Sequence, residues 1–272
     1  MGDDDGLKRE RPAHLVELDP FWIDRYEVTV ADYEKFVKAT RYLTTAEKPN
    51  DWHEGAKAKW SGVFNYKTGS WEPTQAANWR HPEGPGSKAE PKEPVVHVSF
   101  ADAEAYAKWA GKRLPTEAEF EYALRGGKAG QKYPWGDELT PDGKHLSNWW
   151  QGIFPEGDEG KDGFKGRAPV GSFPPNGFGL YDLAGNAWEW CSDWYDESYY
   201  ERSPRKNPPG PANPVKEKAK VLRGGSWLCS ENYCTGYRNS ARMDTELDSG
   251  LNNLGFRCVR TATAGDRALQ KR

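Results

Sequence analysis

Apolar and polar residues recur with helical spacing in three stretches of this chain. Behind Thr29, the residues Tyr33, Phe36 and Val37 fall at i, i+3 and i+4 on one face, and the Thr29 hydroxyl can cap a helix running to about Thr40. Ser99 stands before FADAEAYAKWA, with Asp102 placed to reach back as the second half of a capping box and Gly111 placed to end the helix. Thr116 and Glu119 repeat the box at the head of EAEFEYALR, which runs into Gly126 and Gly127. Each stretch has one apolar stripe to bury, as scaffold helices do.

Strand patterns are shorter. His14 to Leu18, Phe21 to Tyr26, Val95 to Val98 and Val221 to Leu222 fit, the last continuing into Phe256 to Val259. The remainder reads as loop. From Asn50 to Pro94 and from Gly126 to Pro175, Gly, Pro, Asn, Asp and Trp dominate, and loops of that length in a compact domain need a function or a staple. There is no internal repeat, heptad run or linker, which predicts one domain over 1–262 with a frayed tail at 263–272.

Composition says what fills the core. Isoleucine occurs only at Ile23 and Ile153, and with 29 Gly and 20 Pro the chain would lean toward disorder were it not for 13 Trp, 13 Tyr and 10 Phe. Mean hydropathy is −0.94. Each buried ring removes about 150–250 Å² from water, so the sequence predicts an α+β domain of low regular secondary structure with an aromatic core. A net charge of −3 gives no reason to expect nucleic acid or an acidic membrane as partner. No stretch reaches the roughly 20 apolar residues that span a bilayer, and MGDDDGLKRERPAH lacks the apolar segment of a signal peptide. Four cysteines do not make a disulfide framework, which favours a reducing, cytoplasmic setting unless a start placed too late hides a signal.

Chemistry concentrates at LRGGSWLCSENYC. Cys229 and Cys234 are five positions apart behind Gly224 and Gly225. Two thiolates without a second CxxC or a nearby His are too few for a structural zinc site, yet they suffice for Cu(I), which accepts two soft ligands. A disulfide and two unrelated core thiols are the competing readings. The glycines offer positive φ or close backbone approach, or mark a strand bulge. Cys191 and Cys258 have no motif partner and read as buried, inert thiols.

Over nearly its whole length the chain resembles the formylglycine-generating enzymes, the sulfatase-modifying factors, whose fold is related to C-type lectins. The resemblance is carried by DRYEVTVADYEKFVKAT, ANWRHPEGPGS, PVVHVSFADAEAYAKWAGKRLPTEAEFEYALRGG, YPWGDEL, NWWQGIFP, KDGF, PPNGFGLYDLAGNAWEWCSDW, LRGGSWLCSENYC and NLGFRC. AGKRLPTEAE, GNAWEW and NLGFRC are shared with a wider superfamily and speak for fold alone. The cysteine pair is narrower and carries the functional expectation.

That resemblance implies that Cys229 and Cys234 bind Cu(I) and that O2 is co-substrate. The reaction implied is oxidation of the cysteine of a sulfatase CxPxR motif to Cα-formylglycine, on an unfolded or nascent polypeptide, by a monomer. It further implies that Ser226 and Asn253 line the oxygen side of the pocket; Trp and Tyr of 50–95 and 188–200 are candidate walls for the substrate segment, with core packing as the competing reading. Two structural Ca2+ sites are implied as well. One takes Asn148 and Asp162 side chains with the carbonyls of Trp149 and Phe164. The other takes Asp182 with the carbonyls of Leu183, Gly185 and Ala187, and Glu189 nearby.

Departures from the family pattern set further expectations. The family often opens on a Gly-rich strand ending in MG, whereas this chain starts at Met1-Gly2, as if that strand were missing or the start misassigned. Partners of the structural disulfides of animal members are replaced by Ala107, Ala123 and Asn239, so Cys258 is expected to be unpaired. Ser230, Glu231, Asn232 and Tyr233 stand between the cysteines where several members have His and Arg, and Thr235-Gly236-Tyr237-Arg238 lacks one family arginine. The alternative reading is a non-catalytic binding or accessory module on the same scaffold, with the cysteines as a disulfide bracing one loop. A sulfoxide synthase of the ergothioneine type would need an iron-binding histidine cluster, which His14, His53, His81, His97 and His145 do not form.

Overall fold

In the computed structural model, which describes residues 1–49, 60–215, 218–263 and 265–266, all three helices form where the caps place them. Strand β1 (Phe21–Ile23) leads to α1 (Val30–Thr40), where the Thr29 hydroxyl accepts from the Asp32 amide at 3.1 Å. In α2 (Phe100–Trp109) and α3 (Glu117–Arg125) both halves of each capping box are made. Gly126 ends α3 at φ 57°, and a Cβ there would stand 2.9 Å from the Gly177 amide, so the close approach as well as the turn requires glycine. No described helix is long and apolar enough to cross a membrane.

The strands are less regular than the pattern suggested. Four of them, β4 (Trp188–Trp194), β5 (Ala219–Arg223), β6 (Arg242–Glu246) and β7 (Leu254–Gly255), make a sheet in the order β6-β5-β4-β7, with β4 and β7 parallel and the other pairs antiparallel. Strand β1 pairs with β8 (Val259–Thr261), Phe21 opposite Thr261, and covers only half of the predicted Phe21–Tyr26. A hairpin of β2 (Trp60–Asn65) and β3 (Ser70–Gln75) occupies part of the expected 50–94 loop.

Two predicted strands do not form ladders. His14–Leu18 makes a single bridge, Glu17 to Lys206. Val95–Val98 is threaded through the core, with Val95 bonded to Val28 and His97 to Leu251, because His97 at φ +59° breaks the extended run. Sequence pattern missed β4 because five of its seven side chains are buried, which erases the alternation of a half-buried strand.

Rings fill the centre, as composition required. Tyr33, Phe36, Trp79, Tyr106, Trp190 and Phe256 belong to one cluster, with Tyr33 stacked on Tyr106 at 5.7 Å and the Trp190 indole donating to the Val98 carbonyl. Phe64, Trp150, Phe154, Trp227 and Leu228 form a second, smaller one. Of the predicted frayed tail, 264 and 267–272 lie outside the described residues; Asp266 pairs with Arg260 at 2.9 Å.

Candidate active site

The chain leaves the sheet at Arg223 and turns twice on glycine. Gly224 and Gly225 have φ of 93° and 79°; a Cβ on the first would meet the Leu183 carbonyl at 2.8 Å, and on the second the Tyr237 amide at 2.6 Å. Both therefore serve close backbone approach, and no bulge is involved. The returning chain passes at Gly236, itself against Trp188, so the segment 225–236 is a loop closed at its base by packed backbone. Within it the Cys229 amide bonds the Ser226 carbonyl at 2.9 Å.

Cys229 and Cys234 meet, with Cα atoms 4.6 Å apart and the sulfurs joined as a disulfide. Of the readings open from spacing, unrelated core thiols are thereby removed; the oxidised form of a working pair and a bracing disulfide share this geometry. Cys229 is buried and Cys234 half-buried, so the pair is approached from the Cys234 side. Cys191 and Cys258 are free and buried, as expected. Burial raises the Cys191 thiol pKa well above its ordinary value, which keeps it protonated and inert.

Ser226 and Asn253 are brought together. Asn253 Nδ2 donates to Ser226 Oγ at 2.9 Å, and the Leu228 amide donates to the same oxygen at 3.3 Å. Both residues are buried, and Asn253 Oδ1 has no partner. Around the pair stand aromatic side chains. The Trp150 amide bonds the Cys229 carbonyl at 2.9 Å, Tyr66 stacks on Trp150 at 5.6 Å, and Tyr233 lies on Phe154 at 4.2 Å. Trp227 and Tyr66 line a groove of about 650 Å³, while Glu231, Trp149 and Trp150 line a second of about 570 Å³. Of the expected wall region, 50–59 lies outside the described residues. Arg238 is turned away, bonded to buried Glu10 at 2.6 Å.

At the first expected calcium loop, Trp149 and Asp162 are neighbours. Asp162 accepts from the Trp149 and Phe164 amides, and the Gln151 amide nitrogen lies against both the Trp149 carbonyl and Asp162 Oδ2. Two oxygens thus converge on one neutral side-chain amide donor, Gln151 Nε2. Asn148 donates to Gly166 and Asn186.

At the second, Asp182 Oδ2 accepts from the Gly171 amide at 2.6 Å, and Oδ1 is buried without a partner. Glu189 belongs to the same charge cluster, both its oxygens held by Arg257 at 2.7–3.0 Å, because a fully buried guanidinium needs a counterion. Glu27, missed by sequence reasoning, accepts from Asn186 and Ala187. Two buried carboxylates, Glu27 and Glu189, and the half-buried Asp182 thus act on the one Arg257 guanidinium. Burial first, then the charges of Asp182 and Glu189, raise the Glu27 pKa well above its ordinary value. Among the described residues no three His, Cys, Asp or Glu side chains converge as metal ligands, so a cation at either loop would depend chiefly on backbone carbonyls. The orphaned Asp182 oxygen amid excess negative charge fits such an ion.

A mixed α/β scaffold with two joined cysteines, one buried and one half-buried, on a loop whose Ser226 is bonded to a buried Asn253 defines the class. The chain belongs to the sulfatase-modifying factor enzyme 1-like family, whose model matches residues 1–262. A Streptomyces coelicolor protein named formylglycine-generating enzyme is 50% identical over 268 residues, covering 95% of this chain and 84% of that one. A Mus musculus protein named inactive C-alpha-formylglycine-generating enzyme 2 is 41% identical, over 96% of this chain and 82% of its own. Among solved structures, PvdO from Pseudomonas aeruginosa superposes with a TM-score of 0.68 at 27% identity, covering 96% of this chain and 90% of that one.

Proposed function

We propose that this protein is a formylglycine-generating enzyme: it oxidises the cysteine of a sulfatase CxPxR segment to Cα-formylglycine, using O2 and Cu(I) held by Cys229 and Cys234. The observation that carries this is the meeting of the two sulfurs at a half-open point, on the loop whose Ser226 is hydrogen-bonded to Asn253. When reduced, the pair offers two soft donors at one point and leaves a side open for the thiol of a substrate. Bound Cu(I) would supply the dioxygen chemistry that no protein side chain offers.

The chain's own residues bind and orient. Ser226 Oγ already accepts two hydrogen bonds, so its hydroxyl proton is free to donate toward whatever occupies the pocket. Asn253 Oδ1 is an unfilled acceptor for a substrate N–H or S–H. Tyr66, Trp150 and Tyr233 form an apolar rim along which an extended, unfolded segment can lie. Structural Ca2+ belongs with Trp149 and Asp162 in one loop and with Asp182 in the other. The free, buried Cys191 and Cys258 suit a reducing compartment such as the cytoplasm.

The second reading, a non-catalytic module, is favoured by the closed disulfide and by the resemblance to the relative named inactive. Cysteine variants decide between them. Under a thiol reductant, where the wild type is a dithiol too, Cys229→Ser and Cys234→Ser should each keep the wild-type melting temperature and abolish hydrazide-reactive aldehyde on a CxPxR peptide. Either variant converting peptide at the wild-type rate would exclude the enzymatic reading.

A further inference from the structure

We infer that Asn232, on the loop between the two cysteines, is the positioning residue that holds Cys234 against Cys229. The proposal rests on the reading of this pair as the working thiols. Its basis is a clamp formed across the fold. Asn232 Oδ1 accepts from the Phe154 amide at 3.1 Å, and Asn232 Nδ2 donates to the Phe154 carbonyl at 3.1 Å, so one side-chain amide satisfies both backbone groups of one residue. Ser230 Oγ donates to the same Oδ1 at 2.9 Å. Next along the chain, Tyr233 stacks on the Phe154 ring at 4.2 Å, nearly parallel at 14°.

Phe154 is a firm anchor: it is buried in the smaller aromatic cluster with Phe64 and Trp150. Trp150 in turn bonds the Cys229 carbonyl. The loop is therefore pinned to one segment, 150–154, at both ends, and Cys234 follows immediately after the second pin. Ser230 is buried, and the residues that follow it, Glu231 to Tyr233, are exposed, with few other contacts to fix them. Without the clamp they would spread over many conformations, and the concentration of one thiol at the other would fall.

The test is the equilibrium in which two glutathione thiols reduce the Cys229–Cys234 disulfide to two cysteine thiols and leave as one glutathione disulfide. It is read by alkylating and weighing the intact protein across a series of glutathione ratios. Asn232→Ala loses both hydrogen bonds to Phe154 and the one from Ser230, and should shift the midpoint toward the dithiol by about tenfold in the equilibrium constant. Asn232→Asp keeps the acceptor for the Phe154 amide and loses the donor, so it should shift by about threefold, and it carries the test should the alanine variant not fold. A lowered melting temperature with an equilibrium constant within about twofold of wild type would overturn the proposal, since a residue that merely stabilises the fold moves only the first. No peptide or metal enters the measurement, so its failure is distinguishable from failure of the proposed reaction.

Discussion

Ser226 and Asn253 show how much a single hydrogen-bond inventory can say. A hydroxyl that accepts twice and an amide oxygen with no donor leave one donor and one acceptor unused in a bonded pair. Asn253→Ala should therefore raise KM for the peptide about tenfold through the lost acceptor, with the fold kept, as peptide kinetics beside a thermal melt would show. Asp193 makes a prediction about pH. Burial, and after it the Glu117 carboxylate, push its pKa up from 3.8 to about 7. The native state then holds a proton that the unfolded chain releases, so this group's contribution to stability is full below about pH 4, falls as pH rises toward 7, and is constant beyond. Asp193→Asn should be flat over that range, with its melting temperature overtaking wild type by about pH 8. Parallel thermal melts across the range check it, and equal slopes would contradict it.

At the scale of elements, the helices were legible because capping is local: Thr29, Ser99 and Thr116 each find their partner three residues on. The cysteine pair was legible for the same reason. The clamp was not, because Asn232 and Phe154 are 78 residues apart and neither position carries a pattern. Nor was Glu189 readable as an ion-pair partner, since Arg257 reaches it across 68 residues. The loop from Asn148 to Phe164 ties these elements together, joining Trp149 and Asp162 at one end to the cysteine loop through Trp150 and Phe154. If Ca2+ orders that loop, chelation should lower the melting temperature and weaken the Cys229–Cys234 disulfide together. Melts and thiol titration with and without chelator test this, and a drop in neither would separate calcium from the loop.

Across the whole molecule, buried ion pairs stand where an aliphatic core would be. Arg242 binds both oxygens of Glu117 at 2.7 Å, Arg223 binds Glu121 at 2.7 Å, and these join α3 to β5 and β6. Removing one partner strands a charge in the interior, so Arg242→Met should cost about 3–5 kcal/mol, read from denaturant unfolding. Composition foretold the ring-built core, yet gave no sign of this charged layer, because an Arg or Glu in sequence does not reveal whether it faces water. The scaffold holds the sheet rigid and lets a glycine turn present two sulfurs at its rim, and on that arrangement the proposed chemistry depends.

The most direct measurement is mass spectrometry of a synthetic CxPxR peptide incubated in air with the protein, Cu(I) and a thiol reductant, beside a copper-free control. The account predicts copper-dependent conversion of the peptide cysteine to an aldehyde that a hydrazide traps. An unchanged peptide, with no Cu(I) retained by the reduced protein, would contradict it.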